Sequence, residues 1–256
     1  MILTIAGKEL KALFASPLAW VLLCFVQIIV AFVFLKQLDV FFQIQPQLAT
    51  MPNAPGATDV IAAPMFGIAA ALFLFAVPIL AMRLIAEERR NQTMVLLMSA
   101  PVSMAEIVLG KFLGLTAFFV GVVALATLMP LSLAGATRLD YGLVASLAAG
   151  LVLLAAAFVA VSLYVSCLTV HPVAAAVGAF AVLMGMLLMG DTAGDGLRSR
   201  GWAVAAAAAQ VLSPMKNFEA FRKGMIDSYA ISCLVLLIAL FLVLAIRHLD
   251  AQRVRG

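Results

Sequence analysis

Residues 83–111 read RLIAEERRNQTMVLLMSAPVSMAEIVLGK. A long apolar run ends just before this stretch and another begins just after it. Between them stand Glu87 and Glu88, then Arg89 and Arg90, then the apolar turn MVLLM, then Ser-Ala-Pro. Thr93 is placed to cap the short apolar helix at its N-terminus. Pro101 disfavours helix at the residue before it, so that helix stops there. Ser103-Met-Ala-Glu106 has the spacing of a capping box and opens the next helix. The stretch therefore predicts helix, short helix, sharp break, capped helix. A short apolar helix rimmed by acids and arginines suits docking into a groove on a partner. The charges would set register and the apolar centre would supply affinity.

Composition says what surrounds this knuckle. The chain has 256 residues, 66% hydrophobic and 11% charged, against about 25% charged in an ordinary soluble domain. Mean hydropathy is +1.18. The fold class expected is an all-α polytopic membrane protein, a single domain over 1–256. Net charge is +4, but the basic residues sit at the ends of apolar segments, where topology explains them without nucleic acid. Cys24, Cys167 and Cys233 lie far apart inside apolar runs, with no CxxC and no Cys/His cluster. Neither a metal site nor a disulfide framework is expected. Methionines such as Met184 and Met186 fall within an apolar span and read as packing rather than copper ligands. The first apolar run is too long for the h-region of a signal peptide.

A spanning helix needs about 20 apolar residues, and six segments qualify: 18–35, 60–85, 107–133, 143–170, 172–189 and 229–246. Two further helices are amphipathic. In residues 2–14, Ile2, Ile5, Ala6, Leu10, Leu13 and Phe14 share a face, with Thr4, Lys8 and Lys11 opposite. Glu9 sits awkwardly at the edge of the apolar face. This reads as an interfacial helix with Lys8 and Lys11 toward headgroups. Residues 212–226 repeat the pattern, with Phe218 and Phe221 on the apolar side. They are expected to anchor at the outer headgroups or to serve as a handle for an outer-side partner. Short loops weigh most in the positive-inside rule. The two short loops opposite the knuckle hold only Lys36 and Arg138, so both termini and the knuckle are expected in the cytoplasm.

Three stretches resemble one family. MRLIAEERRNQTMVLLMSAPVSMAEIVLGKFLG looks like the coupling-helix region of ABC-2 type transporter permeases, of the gliding-motility and nitrous-oxide-reductase-maturation type. That region runs roughly M-R, E-E-R, G-T-x-E-L-L, a-P, G-K. IAGKELKALFASPLAW resembles the family's K-E-L…S-P-x-A-[YW] leading helix, and LSPMKNFEAFRKGMID with its basic tail resembles the family's C-terminal part. Gln92 and Val95 depart from the pattern, where glycine and glutamate are usual. Glu87, Glu88, Thr93, Leu96, Pro101, Gly110 and Lys111 match it.

The resemblance implies a permease subunit of an ATP-driven exporter in the bacterial inner membrane. Glu87, Glu88, Arg89, Arg90, Thr93, Leu96, Leu97 and Pro101 would contact a separate nucleotide-binding ATPase subunit. A second permease protomer, identical or related, would complete the complex, with membrane lipid around it. The sequence has no G-x-x-x-x-G-K-[ST] loop, so the chain is read as a non-enzyme with no cofactor, and ATP is expected on the partner.

Three other readings compete. An intramembrane enzyme finds no partnered nucleophile near His171 or His248. An ion-coupled secondary transporter usually keeps charges at the membrane midplane, and here the spans are nearly free of them. A subunit that relays force to an outer-side partner without transport fits the same residues.

Overall fold

The structure, a computed structural model, describes residues 1–48, 56–90, 103–135, 137, 139–190 and 210–255. Among these residues the secondary structure is helical, with no strand. The helices are α1 (Ile2–Ala15), α2 (Pro17–Leu48), α3 (Ala57–Ala81), α4 (Ala86–Arg90), α5 (Met104–Leu131), α6 (Tyr141–Leu168), α7 (Pro172–Leu188), α8 (Pro214–Arg222) and α9 (Ser228–Arg255). Five of them, α2, α5, α6, α9 and α3 with its continuation to Arg90, are long and apolar enough to cross a membrane. The sixth expected span is the shorter apolar helix α7, of 17 residues, about 26 Å at the helical rise of 1.5 Å.

The helix boundaries follow local chemistry. Ser103 and Glu106 form the expected capping box: Glu106 N–H donates to Ser103 Oγ at 3.2 Å, and Ser103 N–H donates to Glu106 Oε2 at 3.1 Å. Asp140 Oδ1 accepts from Leu143 N–H at 3.1 Å and caps α6. Pro172 and Pro214 stand at the starts of α7 and α8, where a missing N–H costs nothing. The helix α2 runs well beyond 18–35. Lys36 and Asp39 end the apolar run but not the helix, because Phe41 is buried with Ala57 and Ile61 of α3. Likewise α9 continues past 229–246 through the basic tail, where Leu249 is fully buried.

Contacts at the helix ends order the helices in an alternating bundle. Asp140 N–H donates to Thr58 Oγ1 at 2.9 Å, which joins the starts of α3 and α6 at one end. At the other end Ser166, near the end of α6, meets Ala86 and Met82 beyond α3. The central helix is α6, which packs on α3, α5, α7, α8 and α9, whereas α2 is the least buried span. Phe73 of α3 meets Phe119 of α5 edge-on, with centroids 4.9 Å apart, a favoured aromatic geometry.

One expectation gains a partner here and one is corrected. The apolar face of α1 packs on α5, its chief neighbour. The periodicity identified the correct face, with Lys8 and Lys11 exposed, but α5 covers that face. The reason is steric. A Cβ on Gly110 would stand 2.7 Å from Ile5 Cβ, and one on Gly114 would stand 3.0 Å from the Ala6 carbonyl oxygen. These two glycines, one turn apart, let the α1 backbone approach α5 more closely than side chains would allow. The correction concerns Phe218 and Phe221. Each is only 1% exposed, so they anchor α8 to the protein and not to headgroups. A Cβ on Gly150 of α6 would stand 2.5 Å from Phe221 Cβ.

Candidate functional site

The knuckle itself, residues 91–102, lies outside the described residues, and with it Thr93, Leu96, Leu97 and Pro101. Its two flanks are described, and they converge. The helix α3 breaks after Ala81, and residues 82–85 form tight turns. The break frees backbone groups that an unbroken helix would pair. Ser166 of α6 repairs it: its Oγ accepts from Ala86 N–H at 3.1 Å and lies 3.5 Å from the Met82 carbonyl oxygen it donates to. The chain then enters α4, the five residues AEERR.

On α4, Glu88 turns inward. Its Oε1 lies 2.6 Å from Nζ of Lys111, about two turns into α5. The same Nζ lies 3.0 Å from Glu9 Oε1 on α1. Lys111 is 1% exposed, and Glu9 and Glu88 are 13% and 19% exposed. One ammonium is thus held by carboxylates from two other helices. An ammonium taken out of water costs several kcal/mol, and two charge-assisted hydrogen bonds are what offset that cost here. Gly110 and Gly114 flank Lys111 and create the close approach that brings Glu9 within reach.

The remaining candidates divide. Arg89 donates through Nη2 to Gln252 Oε1 of α9, and Gln252 Nε2 is 3.0 Å from His248 Nε2. Arg83 donates to Ser16 Oγ at 2.8 Å, where α1 turns into α2. Glu87 pairs loosely with Arg83 at 3.7 Å on the surface, and Arg90 is exposed. The structure therefore gathers Glu88, Arg89 and Arg83 at one end of the bundle with α1, α5, α6 and α9. Lys8 and Lys11 stand exposed on α1, while Phe218 and Phe221 belong to the opposite part of the molecule.

Sequence reasoning missed Lys111 and Glu9 as site residues. A signal existed: Glu9 was the one residue out of place on the apolar face of α1, and Lys111 the one charge inside the start of an apolar span. Each anomaly explains the other.

Chemically, this end of the bundle is a junction of paired charges that ties several helices together. Among the described residues no group of three or more His, Cys, Asp or Glu side chains gathers as a metal site would need. The described contacts bind the two ends of a twelve-residue segment, 91–102, to each other and to the bundle. Comparison with curated proteins returned no match. Comparison with protein families matches residues 3–252 to the ABC-2 family transporter proteins. That match spans nearly the whole sequence and includes both the leading helix and the junction, so the chain belongs to the ABC-2 transporter family as a membrane permease subunit.

Proposed function

We propose that this chain is the permease of an ATP-driven exporter whose ATPase is a separate subunit docked on residues 83–111. The observation that carries the reading is the ion pair between Glu88 and Lys111. These residues flank the segment 91–102, so its two flanks are stapled to each other. A push delivered through stapled flanks moves α4 and α5 together, and through Glu9 it moves α1 as well. Without the staple each flank could yield by itself. Glu87 and Arg90, exposed beside the staple, are free to meet the ATPase, with Thr93, Leu96, Leu97 and Pro101 beyond them.

In this reading the junction faces the cytoplasm, and α7 is the sixth crossing. Residues Ile2 and Gln252 both lie at the junction end, which is what an even number of crossings requires. The membrane is the bacterial inner membrane, and two protomers, identical or related, present two stapled junctions to an ATPase dimer. ATP shifts the permease between access states only because it binds the closed motor better than the open one. Nothing in the described residues favours the force-relay reading: its handle was the apolar face of α8, and Phe218 and Phe221 are buried.

The test is deletion of residues 92–98 with short-linker closure, followed by affinity purification of the permease. The expected result is loss of the co-purifying ATPase while the permease still inserts in the membrane. Undiminished co-purification would reject the docking assignment. Thiol labelling of intact cells at a cysteine placed at Arg90 adds the side: no labelling is expected from outside.

A further inference from the structure

The helix α8 raises a question of depth. The sequence reads it as a surface helix, yet three measures along the neighbouring helices place it inside the bundle. Ser146 Oγ of α6 donates to the Phe221 carbonyl at 3.2 Å, and Phe221 packs on Gly150. Gly150 lies ten residues below Asp140, about 15 Å at helical rise. The helix α7 starts four residues after α6 ends and finishes against α8, where Lys216 Nζ donates to the Gly190 carbonyl at 2.9 Å. The third measure is Gly67 of α3, nine residues below Thr58, about 14 Å at the same rise. The guanidinium of Arg222 lies against it, with Cζ 3.4 Å and Nη2 3.7 Å from where a Cβ would stand. Thr58 and Asp140 are at one level, joined by a hydrogen bond, so the measures share an origin.

Arg222 is thus carried well below the end of a bundle whose spans are otherwise apolar at this level. It is exposed, and among the described residues it makes no hydrogen bond or ion pair. Glu219, one turn earlier on α8, does not pair with it. A charge at membrane depth is retained where something compensates it, and a guanidinium presents a planar donor fork suited to phosphate oxygens. Gly67 leaves the guanidinium flat against the α3 backbone, with its outer edge open, and Lys223 follows as a second exposed cation.

We propose that Arg222, lying over Gly67 in the groove between α3 and α8, binds the phosphate of an anionic phospholipid whose headgroup dips into the bundle. The shared chemistry is a phosphate ester anion, and either a lipid or a small soluble phosphate could supply it. The lipid is the expected source because the surrounding faces, with Ile68 and Phe75 exposed on α3, are apolar.

The experiment is native mass spectrometry of the full chain titrated separately with phosphatidylglycerol and phosphatidylcholine. Loss of one charge-assisted contact is expected to weaken phosphatidylglycerol binding by roughly tenfold in Arg222→Gln, with Arg222→Lys intermediate and a smaller loss for phosphatidylcholine, whose choline neutralises its phosphate. Gly67→Leu, which keeps the charge but fills the surface beneath it, is expected to weaken phosphatidylglycerol binding too. Competition by inorganic phosphate at millimolar concentration would keep the site and reassign its ligand to a soluble anion. Equal binding of phosphatidylglycerol by wild type and Arg222→Gln would overturn the proposal, as would equal losses for both lipids. None of these readouts depends on an ATPase, so the exporter reading and this site stand or fall separately.

Discussion

The two ends of this bundle are held by opposite means. At the junction end, charged side chains are paired across helices: the buried Lys111 with Glu9 and Glu88, Arg89 with Gln252, and the partly exposed Arg83 with Ser16. Around α8 the contacts are steric or made to backbone carbonyls, with no ion pair among the described residues: Phe221 on Gly150, Ser146 on the Phe221 carbonyl, Lys216 on the Gly190 carbonyl, and Asn217 Nδ2 on the Ser213 carbonyl at 3.0 Å. The difference teaches what each end resists. Apolar packing in a membrane is non-directional and lets helices slide, because lipid competes for the same surface. A buried ion pair is directional, and parting it exposes uncompensated charge. The junction end is therefore expected to move as a block, and the α8 end to adjust its packing.

The largest effect that would break this contrast comes from Lys111→Met. The substitution keeps the length and apolar stem but leaves Glu9 and Glu88 facing each other with no cation between them. Removing one partner of a buried pair costs about 3–5 kcal/mol. Thermal unfolding in detergent is expected to show that loss, and Glu9→Gln with Glu88→Gln in the same chain is expected to recover much of it. If Lys111→Met unfolds like the wild type, the staple is not what holds the junction.

A smaller effect is expected at the other end from Gly150→Leu. The new side chain overlaps Phe221, whose Cβ and Cγ are 2.5 Å from a bare Cβ. Overpacking typically costs about 1–3 kcal/mol, and here α8 can shift to relieve part of it. The comparison is sharpened by measuring ATPase co-purification of both variants. Lys111→Met is expected to reduce it and Gly150→Leu to leave it intact, since only the first disturbs the staple.

Much of this was legible in the sequence, and the gaps have physical causes. Hydropathy marks apolar runs, so it found the five helices long enough to cross a membrane, but it is blind to helix that continues beyond the apolar run. That is why α2 and α9 run longer than the runs that announced them. Capping chemistry is local, and Ser103 and Glu106 behave as their spacing said. Amphipathic periodicity tells which face of a helix is apolar and says nothing of what covers it. The same pattern therefore described α1, covered by α5, and α8, sunk beside Gly150. The informative residues were the misfits. Glu9 on an apolar face and Lys111 at the start of a span each looked like noise alone, because their meaning is a contact between residues about a hundred positions apart.

The smallest effect separates the buried and surface charges of the same junction. Arg83 and Glu87 pair at 3.7 Å with about 40% of each side chain exposed. A pair of this kind is worth up to about 1 kcal/mol, and often nothing measurable. Glu87→Gln is therefore expected to leave the unfolding temperature within error at ordinary salt. It sits one residue from Glu88, on the same five-residue helix, with the same change in formal charge. Glu88→Gln alone is expected to destabilise, because it takes a full carboxylate from Lys111, while Glu87→Gln is expected to be nearly silent. Raising the salt concentration sharpens the distinction, since screening reaches the exposed pair and much less the buried one. Equal destabilisation by the two substitutions would mean that net charge, and not the Lys111 staple, organises this end of the bundle.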